Sequence, residues 1–179
     1  MTQEPIAPGS DSPVKFLQVL HMLLRTFDAY MKCVVHLKAN VFVWTESKFT
    51  HPKNFAKISK AKKEIQDMLV SKHSVKWDFV NNDLGTSTTG NTVRFLLSEE
   101  PRKDICEMIS NPRSRALATT YGSDLSMLIE AMSSGSEIDI EKYSETCTTL
   151  YVIIATELSW TNIVNIVIGT FGRINYSQQ

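Results

Sequence analysis

The sequence is poor in the residues that stabilise small secreted folds. Only three of its 179 residues are cysteines, Cys33, Cys106 and Cys147, and an odd, widely spaced set indicates free thiols rather than a disulfide framework. The first residues, MTQEPIAPGSDSP, lack the basic start and apolar run of a secretory signal. We therefore expect an intracellular, cytoplasmic protein whose core is stabilised by packing alone.

The chain also has no net charge, because its 19 lysine and arginine residues are balanced by 19 aspartate and glutamate residues. No overall field therefore draws the chain to nucleic acid or membrane. The charges are unevenly spread: residues 47–76 carry eight lysines against two carboxylates (+6), and residues 116–172 carry one lysine against seven (−6). This asymmetry predicts an acidic partner for the first region, or a head-to-tail contact between copies of the chain.

Recognisable catalytic and metal-binding motifs are missing as well. No serine lies in G-x-S-x-G and no cysteine has a recognisable catalytic partner. Cys33 and His36 form a C-x-x-H pair, but on a strand they would point to opposite faces, and no second pair follows. Residues 85–92, GTSTTGNT, have the spacing of a phosphate-binding P-loop, yet Asn91 replaces its lysine and the following TVRFLL resembles a strand. We expect no enzyme, metal, cofactor or small-molecule substrate.

The longest apolar stretch is residues 150–171, LYVIIATELSWTNIVNIVIGTF, where Glu157 is the only charge. Its length fits a membrane span, but Glu157, Thr161 and Asn165 form a polar stripe at i, i+4 and i+8 of a helix. The pattern therefore favours a core helix on which the rest of the chain packs. Ser159 could instead cap a second helix, giving 141–158 and 160–171. The face expected to be buried comprises Trp160, Ile163, Val167 and Phe171.

The remaining chain is predicted to mix helices and strands. Ser12-Pro13 and Thr50-His51-Pro52 begin two helices, and after Pro101 helices are expected over 101–110 and 112–133, the second in one or two pieces around Gly122. MKCVVHLKANVFVW alternates and reads as a strand, bent at Asn40, while SVKWDFV and NTVRFLL predict a hairpin around a mobile polar loop.

These elements predict an α+β protein, in which a small antiparallel sheet from the first half packs against helices mainly from the second half. Residues 12–173 are expected to form a single domain. Residues 1–11 are expected to be a flexible tail, and residues 174–179 a short tail.

The candidate binding site lies on the second helix. Phe55, Ile58, Ile65, Met68 and Leu69 form its apolar face, and four lysines follow the other face. With Phe49 and Trp77 nearby, these lysines suit nucleic-acid phosphates or an anionic membrane surface, although a solvated helix face is an equally simple reading. The predicted basic face comprises Lys53, Lys57, Lys60 and Lys63.

The predicted layout combines a proline-containing tail, a sheet-and-helix core and a lysine-rich face, and it includes no catalytic motif. This layout is similar to that of small viral matrix proteins, such as those of plant rhabdoviruses. The resemblance is one of layout and not of a motif. It implies a self-associating structural or adaptor protein that joins an acidic partner, such as nucleoprotein, RNA or an anionic membrane, to further copies of itself.

A second resemblance lies in TELSWTNIVNIVIGTF, which is similar to the BH1 segment of the Bcl-2 family at Trp160, Ile163 and Val164. Where that family has Gly-Arg, this chain has Thr161-Asn162, which removes the arginine that meets a ligand's aspartate. Residues 122–124, Gly-Ser-Asp, lie about where a BH3 would be, without a leucine four residues before the glycine. This resemblance implies an alternative function, a helical regulator that binds a partner helix in an apolar groove. Low strand content would favour this alternative.

Overall fold

The computed structural model describes residues 13–42, 52–78, 80–81, 85–86, 88–133 and 139–160. These residues form six helices: α1 (Pro13–Ala39), α2 (Pro52–His73), α3 (Gly90–Leu97), α4 (Glu99–Glu107), α5 (Pro112–Ser133) and α6 (Ile140–Glu157). Between α2 and α3, the two-residue strands β1 (Val80–Asn81) and β2 (Gly85–Thr86) pair antiparallel, with Val80 opposite Thr86. The predicted α+β class is therefore wrong, because the described part of the chain is an all-α bundle without a packed sheet. The predicted tails lie outside the described residues.

Helix α1 lies at the centre of the bundle, with α2, α3 and α5 packed around it. Its second half is buried except for a narrow stripe that includes Asp28 and Lys32, and the buried residues include Phe27, Tyr30, Met31, Cys33, Val34, Val35 and Leu37. A helix buried over most of its circumference loses the 3.6-residue alternation of apolar and polar positions, and adjacent valines add a strand-like composition. The strand predicted for MKCVVHLKANVFVW is therefore wrong over the residues that the structure describes.

Asn40 ends α1 instead of bending a strand. Its backbone is left-handed, with φ of 53°, which asparagine tolerates better than most residues. The Asn40 N–H donates to the Leu37 carbonyl at 3.2 Å, and the Val41 N–H donates to the His36 carbonyl at 3.1 Å. These two bonds form a Schellman motif, and they satisfy carbonyls that the end of the helix would otherwise leave unpaired.

The predicted pairing of SVKWDFV with NTVRFLL is also wrong, because the second segment is α3. Thr89 caps this helix, its hydroxyl accepting a hydrogen bond from the Thr92 N–H at 3.2 Å. Val93, Leu96 and Leu97 are buried at i, i+3 and i+4, as on one face of a helix. The N-cap at Thr89 therefore selects the helical period over the alternating one.

The helices expected after the hairpin are confirmed in α4 and α5, and α5 continues through Gly122 without a break. α6 packs against α5 and ends at Glu157, with Leu158 as its C-cap, as in the two-helix alternative for the apolar stretch. Trp160 is half-buried against the core and lies 5.6 Å from the His36 ring, centroid to centroid. The other residues of its predicted face, Ile163, Val167 and Phe171, lie outside the described residues.

Candidate functional site

Helix α2 separates an apolar face from a basic one, as its sequence predicts, although Phe55 of the predicted apolar face is exposed. Ala61, Ile65 and Leu69 recur every four residues and are buried, and the helix packs against α1 through this side. The opposite side is solvated and includes all four predicted lysines, each of them exposed. We call this surface the lysine face, and it comprises Lys53, Lys57, Lys60 and Lys63.

The structure divides the lysines of this region into paired and unpaired ones. Lys62 is half-buried and pairs with Asp78, and the Lys72 ammonium lies 2.5 Å from Asp104 of α4. Within the described residues, Lys57 and Lys63 make no ion pair. Much of the surplus positive charge counted in the sequence is therefore concentrated on the lysine face.

Glu64 borders the lysine face and was not part of the predicted site. Its carboxylate lies 2.7 Å from the Lys38 ammonium of α1 and 4.0 Å from that of Lys60. The hydrogen bond from Lys38, followed by the charges of Lys38 and Lys60, lowers the pKa of Glu64. The four-residue spacing of Lys60 and Glu64 could have indicated their pairing, but the contact with Lys38 required the tertiary structure.

The start of α2 adds to the positive potential of the lysine face. The first turn contains no acidic residue, although a helix N-terminus carries a partial positive charge that acidic side chains ordinarily balance. Lys53 stands in this first turn, so its charge adds to that of the dipole. This arrangement costs some helix stability, because like charges meet at the start of the helix.

The aromatic residues predicted to flank the lysines fall into different environments. Trp77 is buried, with 1% of its surface exposed, so it cannot stack on an incoming base. Phe55 is 57% exposed and remains available beside the lysine face, whereas Phe49 lies outside the described residues. The site is therefore electrostatic, and only one aromatic side chain described in the structure supports it.

Among the described residues, an acidic surface lies on α6. Glu141 and Glu145 are four residues apart and exposed on the same side of this helix. Asp139 precedes them as the N-cap, its carboxylate accepting a hydrogen bond from the Lys142 N–H at 3.1 Å. We call this surface the acidic face, and it comprises Asp139, Glu141 and Glu145.

Two motifs of the sequence lie on helices, where a strand was expected. Gly90 begins a helix, so the expectation that a strand follows the P-loop spacing is wrong. Asn91 still stands where a P-loop has its lysine, and the Thr92 N–H already donates to the Thr89 hydroxyl. Cys33 and His36 lie on one helix, not a strand, and burial raises the pKa of the thiol and lowers that of the imidazole. Among the described residues, no cluster of three potential metal ligands occurs.

No protein-family model matches this chain, and comparison with curated proteins and with solved structures finds no similar protein. None of the helices in the described ranges is long and apolar enough to cross a membrane.

Proposed function

We propose that this chain is a non-enzymatic assembly protein, in which the lysine face of one copy docks on the acidic face of the next. The observation that carries the proposal is the placement of opposite charges on two separate exposed helix surfaces, α2 and α6, in a chain of zero net charge. Two different complementary surfaces produce a head-to-tail contact, which closes into a ring or continues as a filament.

The matrix-like form of this proposal depended on a sheet-and-helix core, and the described residues contain no such sheet. What supports self-association is therefore the charge layout alone. Exposed charges attract over about 10 Å at 0.1 M salt, and complementary charges raise association rates and fix orientation more than they raise affinity. We accordingly expect a reversible, salt-sensitive assembly.

The first test replaces Lys53, Lys57, Lys60 and Lys63 with glutamine, which keeps a good helix former and removes the charge. Light scattering coupled to size exclusion, from low to high salt, should show the parent associating at low salt and the variant monomeric. Replacing the exposed Lys32, which pairs with Asp28 on α1, with glutamine provides the control and should leave association unchanged. A quadruple variant that assembles like the parent at every salt concentration would contradict the proposal.

A charge exchange tests the orientation. Lys57→Glu/Lys60→Glu and Glu141→Lys/Glu145→Lys should each be monomeric, because like charges then face each other. Mixing the two variants should restore association, since the reversed α2 of one fits the reversed α6 of the other. If the lysine variants lose binding to single-stranded RNA or anionic vesicles while self-association persists, the partner is that polyanion and not a second copy.

A second candidate function is a helical regulator that binds a partner helix in an apolar groove. The low strand content of the described chain and its buried central helix α1 favour this candidate over a sheet-containing matrix protein. Trp160 is described, whereas the rest of the BH1-like segment lies outside the described residues. This candidate is tested by titration with an amphipathic helical peptide, followed by tryptophan fluorescence. A saturable change in fluorescence that is seen with the parent and lost in Trp160→Phe supports a binding site beside Trp160.

A further inference from the structure

The first two turns of α2 carry an apolar side chain that the bundle does not cover. No residue of the range 52–60 is buried, and Phe55 is 57% exposed, whereas the helix is buried from Ala61 onward. Phe55, Ser59 and Lys63 are spaced four residues apart and are all exposed. Residues at this spacing lie one above the other on a helix, so they form a single stripe along the edge of the lysine face.

Helix α6 carries a second exposed stripe. Glu141, Glu145, Thr148 and Val152 follow one another at steps of four, three and four residues, which keeps them on one side of a helix. All four are exposed, Val152 to 49%. The two glutamates make no ion pair within the described residues. The acidic face is therefore continuous with an exposed apolar position further along α6.

The two stripes have the same order when one of the helices is reversed. On α2, the hydroxyl of the stripe and Lys63 lie about 6 Å and 12 Å beyond Phe55, at a rise of 1.5 Å per residue. On α6, the hydroxyl of the stripe and Glu145 lie about 6 Å and 10.5 Å before Val152. An antiparallel pair of helices therefore places apolar beside apolar, hydroxyl beside hydroxyl and cation beside anion. In a parallel pair that joins Lys63 to Glu145, Phe55 falls ahead of the first residue of α6 and has no apolar partner.

The next residue of the α2 stripe is compatible with the reversed order. Asp67 lies four residues after Lys63 and is exposed, so the antiparallel pairing brings it to the first turn of α6. The partial positive charge of that helix N-terminus and the exposed Lys142 offset the repulsion from Glu141. The charges at this end therefore do not exclude the antiparallel pairing.

We propose that two copies dock through these stripes as an antiparallel helix pair, with Phe55 of one copy against Val152 of the next and Lys63 against Glu145. The inference rests on the proposed head-to-tail assembly, to which it adds an apolar anchor and a direction. Charged pairs at a surface orient a contact more than they strengthen it. A buried aromatic side chain commonly supplies a large share of the affinity of an interface, and Phe55 is the exposed aromatic residue beside the lysine face.

The anchor is tested by measuring the dissociation constant of self-association for Phe55→Ala, with folding checked by circular dichroism. The constant should rise at least about fivefold, as expected for an aromatic anchor. Salt screens charges and not apolar burial, so this factor should be the same at each salt concentration at which the parent associates. Phe95→Ala is the matched control, because Phe95 is 41% exposed on α3, and it should change the constant less than about twofold.

The direction is tested by disulfide cross-linking between two variants under a mild oxidant. Both variants carry Cys147→Ser, because this half-buried thiol is next to position 148, whereas the other two cysteines are buried. Mixing Ser59→Cys with Thr148→Cys should give a disulfide-linked dimer of the two variants. A disulfide between Ser59→Cys and Glu141→Cys in its place would show a parallel pair and overturn the proposal.

The failure of this docking is distinguishable from the failure of the proposed function. If Phe55→Ala associates like a parent whose association requires the lysine face, the docking is wrong and the assembly function stands. If the parent does not associate at low salt, both are wrong. If Phe55→Ala loses binding to vesicles of phosphatidylserine and phosphatidylcholine while self-association is unchanged, the start of α2 lies on lipid and a second copy is not its partner.

Discussion

Replacing Gly122 with alanine should destabilise the protein, although the same change stabilises most helix interiors. Gly122 is buried in the middle of α5. A Cβ atom built on it would lie 2.5 Å from the Tyr30 hydroxyl oxygen, 2.9 Å from the Tyr30 Cζ and 3.0 Å from the Arg102 Cδ. Non-bonded carbon atoms prefer separations of about 3.5–4.0 Å, so the tyrosine ring must move.

The ring has little room to do so. Tyr30 has 0% of its surface exposed and packs edge to face against Tyr121, with ring centroids 5.1 Å apart and planes at 82°. Its hydroxyl donates to the Ala118 carbonyl at 3.4 Å and lies 3.7 Å from the Cys106 sulfur. Overpacking of this kind costs about 1–3 kcal/mol, whereas alanine in a helix gains about 1 kcal/mol over glycine. We expect Gly122→Ala to lower the free energy of unfolding by up to about 2 kcal/mol.

Urea denaturation followed by circular dichroism at 222 nm measures this change. Ala116→Gly, at an exposed position of the same helix, calibrates the helix-propensity contribution. Adding Tyr30→Phe to Gly122→Ala removes the atom nearest the new methyl group and should recover part of the loss, because Cζ stays at 2.9 Å. If Gly122→Ala is as stable as the parent or more so, α5 does not approach α1 as closely as this argument requires.

Two further predictions concern single carboxylates. Asp139→Ala removes the N-cap of α6 and its bond to the Lys142 N–H, and should cost about 0.5–2 kcal/mol by urea denaturation; Asp139→Asn, which keeps an accepting oxygen, should cost less. Asp124 has a buried carboxylate oxygen without a hydrogen-bond partner among the described residues, and desolvation raises its pKa. Because the pKa is raised in the folded state, ionisation of Asp124 destabilises the fold at a pH above that pKa. Below the pKa of the unfolded chain, near 4, the carboxyl is protonated in both states and the penalty is absent. Asp124→Asn should therefore stabilise the protein at pH 7 and lose this advantage as the pH falls to about 4. A constant difference between parent and Asp124→Asn from pH 7 to pH 4 would refute the assignment.

The sequence predicts the helices that have a broad solvated face and fails at the end of α1, where only Lys32 is exposed among residues 29–37. The sequence predicts α2 because residues such as Ile58, Ile65 and Leu69 recur at helical spacing opposite the lysines, and the same pattern locates the lysine face. The sequence predicts a strand from Met31 onward because neighbouring residues such as Val34 and Val35 are both buried in the helix. Hydrophobic periodicity depends on a contrast between buried and exposed positions, and it fades where nearly every position is buried.

The prediction for α3 was wrong for a different reason, because the residues NTVRFLL fit both the helical and the strand period. Val93, Phe95 and Leu97 alternate, while Val93, Leu96 and Leu97 follow a helix; the structure buries the second set and leaves Phe95 41% exposed. In a segment of eight residues, the N-cap residue Thr89 decides between the helical and the strand period.

The central position of α1 has a consequence for synthesis on the ribosome. α1 emerges before α2, α3 and α5, the helices that surround it, and the last of these ends at Ser133. At about 5–20 residues per second, residue 133 follows residue 39 by about 5–20 s. Until α5 has been made, side chains such as Phe27 and Val34 lack part of the cover that the folded bundle gives them. The apolar surface of α1 is therefore incompletely covered during that interval, and incompletely covered apolar surface favours aggregation of a nascent chain.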